Sequence, residues 1–144
     1  MKKSAFVVGI IGMALVTGFF LAGCKSAPPV APQAEIPPDM IPGPGESLVI
    51  VQRVKRAAGS MISMRVWIDG EIAAGGIKNG IISFIKVSDG EHTIQAGSTV
   101  VDRGNRITFT ANSEEIVFRA TPAFGLIAAR FNLTETGRKA VTQR

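Results

Sequence analysis

Beyond Ser47 the chain alternates between apolar and polar positions. In Met61 to Ile68 the residues Ile62, Met64, Val66 and Ile68 share one parity, and Ser63 and Arg65 fall on the other with Met61 and Trp67. A period of two marks a strand with one buried face. Leu48-Val49-Ile50-Val51 is instead an unbroken run rich in β-branched residues, which predicts a buried strand. Further strands are expected over Ile81 to Val87, Glu91 to Ala96, Ser98 to Asp102, Arg106 to Thr110, Glu115 to Ala120 and Leu126 to Leu133. Asp69-Gly70, Asn79-Gly80 and Asp89-Gly90 separate them as turns, because glycine accepts positive φ at little cost. The segment Asp69-Gly70-Glu71 recurs as Asp89-Gly90-Glu91 and reads as two similar hairpin turns. Turn signals every 8–12 residues or so predict an all-β fold, a single small antiparallel β-sandwich. Only the tail, Glu135 to Gln143, reads as a short helix or a frayed end.

Two other textures precede the domain, giving three segments: 1–23, 24–46 and 47–144. Lys25 to Glu46 holds seven of the eight prolines. Proline lacks an N–H and fixes φ, so neither a helix nor a central strand fits. The segment reads as a semi-rigid extended tether with a reach of roughly 70 Å at about 3.1 Å per residue. At the start, Lys2 and Lys3 precede an uncharged stretch from Ala5 to Leu21, which ends in Leu21-Ala22-Gly23-Cys24. A charged start, an apolar stretch and small residues before a cut site describe a secretory signal. An uncleaved spanning helix is the other reading, since about 17–25 residues suffice. Gly9, Gly12 and Gly18 weaken it.

Leu21-Ala22-Gly23-Cys24 resembles the lipobox of bacterial lipoproteins, and Cys24 is the only cysteine. The resemblance implies cleavage between Gly23 and Cys24, a diacylglycerol on the Cys24 thiol and an acyl group, such as palmitate, on its new amine. One acyl chain anchors only marginally, whereas two or three hold a protein firmly to a membrane. No cysteine is then left for a disulfide, so the domain must be stable on its core. Lys25 departs from the aspartate that favours inner-membrane retention in Gram-negative cells, which points to the outer membrane of the cell envelope where the organism has one. Removing residues 1–23 takes away Lys2 and Lys3 and lowers the formal net charge from +5 to +3. That mild charge argues against nucleic acid as a partner, which usually shows a stronger, clustered positive charge.

Val66-Trp67-Ile68-Asp69-Gly70-Glu71, then Gly80, an apolar strand and Val87-Ser88-Asp89-Gly90-Glu91-His92-Thr93-Ile94 resemble the turn pattern of PEGA-like, immunoglobulin-like domains. They resemble still more closely an uncharacterised family of small bacterial lipoproteins built on that sandwich. Val51-Gln52-Arg53, Gly59-Ser60, Ala129-Arg130-Phe131 and Glu135-Thr136-Gly137-Arg138 extend the resemblance over most of 47–141. Ser88-Asp89 departs from the proline usual before that glycine. The resemblance implies a fold and a location, and no activity.

Candidate chemistry is sparse. His92 is the only histidine, too few for a zinc site of His and Cys ligands. A Ser–His–Asp arrangement would have to use it, and no nucleophile elbow is present. Asp69, Glu71, Asp89, Glu91 and Asp102 offer oxygens suited to Ca²⁺, but their spacing matches no calcium loop. Phe84, Phe109, Phe118, Phe124 and Phe131 read as core. Trp67, opposite in parity to the apolar face, either covers the second sheet or stacks on a sugar or partner. Arg53, Lys55 and Arg56 lie close in sequence, as do Arg138 and Lys139, and such clusters suit anionic headgroups or an acidic partner. The leading reading is a non-catalytic module that binds an envelope protein, with no cofactor beyond the covalent lipid. A glycan- or peptidoglycan-binding module using Trp67 and His92 is the alternative, and an enzyme comes third. Cys24→Ser is expected to leave the signal uncleaved and the chain without lipid, which the mass of the N-terminal peptide from membranes reads directly. Wild-type processing of that variant would refute the lipoprotein reading.

Overall fold

The structure is a computed structural model that describes residues 35–98, 103–124 and 129–141. The signal segment with Gly23 and Cys24, most of the strand expected at Ser98 to Asp102, and the start of that expected at Leu126 lie outside the described residues. From Ala34 the chain belongs to one compact unit. A 3-10 turn at Pro38–Met40 packs against the fourth strand, and Pro42 is buried.

Eight strands follow: β1 (Glu46–Arg53), β2 (Met64–Ile68), β3 (Glu71–Ile77), β4 (Ile82–Ser88), β5 (Gly90–Gly97), β6 (Ile107–Ala111), β7 (Glu114–Phe124) and β8 (Ala129–Ala140). They form two four-stranded leaves, β3-β2-β5-β6 and β4-β1-β7-β8. The leaves meet where Ala96 of β5 pairs with Phe131 of β8. The protein is therefore an all-β sandwich, one sheet folded on itself. Its core takes Val49 and Val51 from β1, Val66 from β2, Ile94 from β5 and Phe118 and Phe131 from β7 and β8, all completely buried. Leu48 and Ile50, also buried, point to the other face of β1. Burial on both faces is why β1 reads as an unbroken apolar run.

Four features differ from expectation. β1 runs parallel to β7, with Leu48 opposite Glu115 and Arg53 opposite Ala120, whereas the other ladders are antiparallel. Parallel neighbours need a long connection, and here nearly the whole domain supplies it. Glu71 to Ile77 forms an unforeseen strand, because six of its seven residues escape burial and leave no alternation to read. In its described part, 135–141, the tail is no helix: β8 continues to Ala140 because β7 offers it a ladder from Glu114 opposite Ala140. Finally, Asp69-Gly70 joins a true hairpin, with φ of 52° and 90° suited to a tight turn, but Asp89-Gly90 does not. It carries the chain from one leaf to the other, since β4 pairs with β1 and β5 with β2.

Two polar devices hold the leaves together. At the end of β1, the Arg53 side chain is buried, and its guanidinium donates to the carbonyls of Gly59, Ile62 and Ile77. Its charged plane lies 4.9 Å from the centre of the Phe131 ring. Burial pushes its pKa down, but a guanidinium remains charged in proteins. At the seam, the Gly104 N–H donates to Ala96 O at 2.7 Å, and the Asn105 amide exchanges two hydrogen bonds with the Leu133 backbone. Asn105 thus does what a neighbouring strand would do for β8. A methyl group on Gly104 would lie 1.9 Å from Phe131 O, whereas one on Gly137 would meet nothing within 4 Å. Gly104→Ala is therefore expected to destabilise the domain by on the order of 2 kcal/mol, because the seam must open. Gly137→Ala is expected to be near neutral, and urea denaturation of the two variants side by side checks the contrast.

Candidate functional site

The polar residues singled out from the sequence converge at the end of the sandwich where β1 begins and β4 ends. Asp69 accepts the Thr93 N–H at 2.7 Å through Oδ1 and faces His92 Nδ1 at 2.7 Å through Oδ2. The other ring nitrogen, Nε2, lies 2.8 Å from the carbonyl oxygen of Ser88. A carboxylate and a carbonyl both accept, so the ring satisfies both only when each nitrogen carries a proton. The hydrogen bond to Asp69 accordingly raises the His92 pKa, with burial opposing it, and the same bond lowers that of Asp69. His92 packs 5.7 Å from the Phe109 ring, which meets Phe118 edge-on.

Asp89 repeats the device one turn away. Its Oδ1 accepts the Ser47 hydroxyl and the Ser113 N–H, and its Oδ2 accepts the Ser113 hydroxyl, at 2.7–2.8 Å. The Ser113 bonds lead in holding its pKa below the usual carboxylate range. Ser113 itself adopts a φ of 50°, a left-handed conformation that these two bonds stabilise. The Asp-Gly-Glu recurrence thus has a shared physical meaning, since each aspartate clamps a neighbouring segment of backbone. Arg138 completes this end, with a forked contact to Glu135 and further bonds to Glu114 and the Thr110 carbonyl. Glu135 is the chief cause of a strongly raised Arg138 pKa.

This arrangement does not form a hydrolytic triad. A hydrolytic triad needs a serine hydroxyl at the histidine's free nitrogen, and here that nitrogen faces a backbone carbonyl. Among the described residues no three His, Cys, Asp or Glu side chains gather to hold a metal ion. Asp102, the fifth acid weighed for calcium, lies outside the described residues. Trp67 is only 1% exposed, so it has no free face for a sugar. It sits on the outer face of its leaf, opposite Gln95, with the Arg103 guanidinium 4.6 Å above its ring. Facing away from the second leaf, it covers no second sheet either; its burial comes from its own leaf and the Arg103 side chain. Phe84 is half-buried, and the Phe124 side chain lies outside the described residues.

The basic cluster is corrected in part. Arg53 faces inward and serves the fold, while Lys55 and Arg56 are exposed. Asn79 holds Arg56 by both its backbone groups, a contact that no local spacing announces. No protein-family model matches the chain, and no curated protein matches it either.

The His92–Asp69 pair sets a pH dependence with a definite sign. A raised histidine pKa contributes stability that is complete below about 6.5 and fades as pH rises through the raised value. A lowered aspartate pKa contributes stability present above about 3.8 and lost as pH falls through the lowered value. The pair is thus strongest between these limits. His92→Ala is expected to cost about 1 kcal/mol at pH 6 and less at pH 9. Asp69→Asn is expected to return the His92 titration toward the ordinary value. Proton NMR follows it cleanly, because the chain holds one histidine. An unshifted titration in the wild-type protein would refute the pairing.

Proposed function

We propose that the chain is a bacterial lipoprotein, held by lipid on Cys24 in the cell envelope, with a PEGA-like sandwich as a non-catalytic protein-interaction module. The lipobox resemblance and the single cysteine support the anchor, and Lys25 supports the outer membrane. The closed hydrogen bonding around His92 supports a non-catalytic role, and the burial of Trp67 removes the main support for glycan binding.

One observation carries the interaction reading. β3 is the edge of its leaf, hydrogen-bonded along β2 alone. Edge strands are commonly guarded by lysines, prolines or a covering loop, because bare N–H and C=O groups invite another strand. In Glu71–Ile77 the only charge is Glu71, no proline occurs, and Ile72 is 56% exposed. Bulges disturb its pairing with β2 between Met64 and Trp67 and are its one visible guard. An extended segment of an envelope protein adding to this edge gains backbone hydrogen bonds, with alternate side chains for specificity.

A photo-crosslinking residue at Ile72, activated in intact cells, is expected to capture one discrete envelope protein. Ala73→Lys is expected to reduce that adduct at least about tenfold, by placing a guard on the edge. A wild-type adduct consisting of peptidoglycan fragments, or none above background, would move the proposal to a glycan or a solitary structural role.

A further inference from the structure

We infer that the end of the sandwich opposite the aspartate clamps is a docking surface for an anionic phospholipid bilayer. The inference rests on the lipid-anchor reading of Cys24 and adds to it a second, electrostatic contact made by the folded domain itself.

Acidic charge is segregated along the strands, whereas basic residues occur at both ends, with Lys86, Arg138 and Lys139 lying among the acids. From Glu46 onward, the described acidic residues gather toward the clamp end. They sit in the Asp69–Glu71 and Asp89–Glu91 turns and at the first residues of β1 and β7, and Glu135 is drawn there by Arg138. Glu35 and Asp39 belong to the segment that leads to β1 along β4. The other end is basic. Lys55 and Arg56 follow β1, and Lys78 follows β3. Arg65 lies opposite the last residue of β5, Arg119 opposite Gln52, and Arg130 opposite Ala123 near the end of β7. All six are exposed, and from Glu46 onward no acidic residue among the described ones shares that end.

The same end carries two of the most exposed large apolar residues. Met61 is 95% exposed and Ile81 is 51% exposed. Apolar side chains set among lysines and arginines match a membrane interface, where the charges meet anionic headgroups and the apolar groups enter the acyl boundary. The surface is also built rigidly. Arg53 ties Gly59, Ile62 and Ile77 from beneath, and Asn79 clips the Arg56 backbone. Gly80 packs against the Lys55 stem, leaving room for little more than a hydrogen there.

The anchor permits this contact. Nine residues, Lys25 to Gln33, separate Cys24 from the compact unit and can span at most roughly 30 Å. Strands of eight to twelve residues measure about 26–40 Å. The tether therefore keeps the folded domain within about its own length of the bilayer that holds the lipid. Charge selects the basic end.

The test uses the full-length protein purified from membranes and reconstituted into vesicles, with Ser60→Cys beside Met61 labelled by an environment-sensitive dye. Lipid on Cys24 blocks that thiol, so one dye per chain is expected. A second dye would expose a failure of the anchor reading, separately from this one, and vesicle flotation of that chain then tests docking directly. On vesicles of phosphatidylcholine with phosphatidylglycerol, the emission is expected to shift to the blue and to be quenched by brominated acyl chains. On phosphatidylcholine alone it is expected to stay at its aqueous value, and high salt is expected to reverse the shift. Lys55→Glu with Arg56→Glu and Lys78→Glu is expected to weaken the response at least about a hundredfold, each basic residue near the surface being worth about fivefold. A dye at Glu91→Cys, at the far end, is expected to stay silent. An aqueous signal at position 60 on anionic vesicles would overturn the inference. So would a response to soluble polyglutamate with vesicles inert, which would assign this end to an acidic protein.

Discussion

The sandwich depends on a charge where a charge is least expected. Arg53 is only 3% exposed, and among the described residues no carboxylate answers it and its Nε has no partner. A lone buried ion is costly unless dipoles replace the water it loses. Three carbonyls and the face of Phe131 perform that replacement. Those carbonyls belong to the β1–β2 connection and to the end of β3, so one side chain from one leaf organises the boundary of the other. Hydrophobic burial brings the leaves together without preferring an orientation. The directional bonds of Arg53 supply the preference.

Polar groups at the opposite end do similar work by different means. There the carboxylates of Asp69 and Asp89 accept backbone N–H groups from segments 24 residues away in the chain. Cation at one end and anions at the other each satisfy backbone that the ladders leave unpaired, as buried and half-buried peptide groups require. Between the two ends, the seam at Gly104 and Asn105 closes the gap where β5 and β8 diverge. These contacts need no disulfide, in keeping with a chain whose one cysteine lies outside the domain.

Much of the architecture was legible in the alternation of residues because a strand buried on one face writes that face into its sequence. β1, β2, β4, β5, β6 and β7 all fall where the pattern put them, give or take a residue or a few at their ends. The failures share a cause. Apart from Ala74 and the buried Ile77 in β3, the residues of β3 and of the last third of β8 are exposed, so selection for burial leaves no period there. Their strand character comes from a neighbour's open edge, which is long-range information. Trp67 was ambiguous for the converse reason, since its covering layer comes from Arg103, 36 positions later in the chain. The Asp-Gly turns were visible as turns, but only the three-dimensional partners show that one bends a hairpin and the other crosses between leaves. Arg53 looked like its solvated neighbours Lys55 and Arg56, and nothing local distinguishes an arginine that folds inward.

The parallel pairing of β1 with β7 bears on the order in which the domain can assemble. β1 emerges first, yet its two neighbours are β4 and β7, and β7 lies more than 60 residues downstream. Contacts of such sequence separation form slowly, because a long loop must close before any of them is rewarded. A nascent chain therefore carries β1, buried without a break from Ser47 to Val51, without a finished place to put it until the final hairpin has been made. On the proposed lipoprotein reading, in which the chain is threaded through a membrane before it folds, that delay is useful: the topology itself holds the domain open until its last strands arrive.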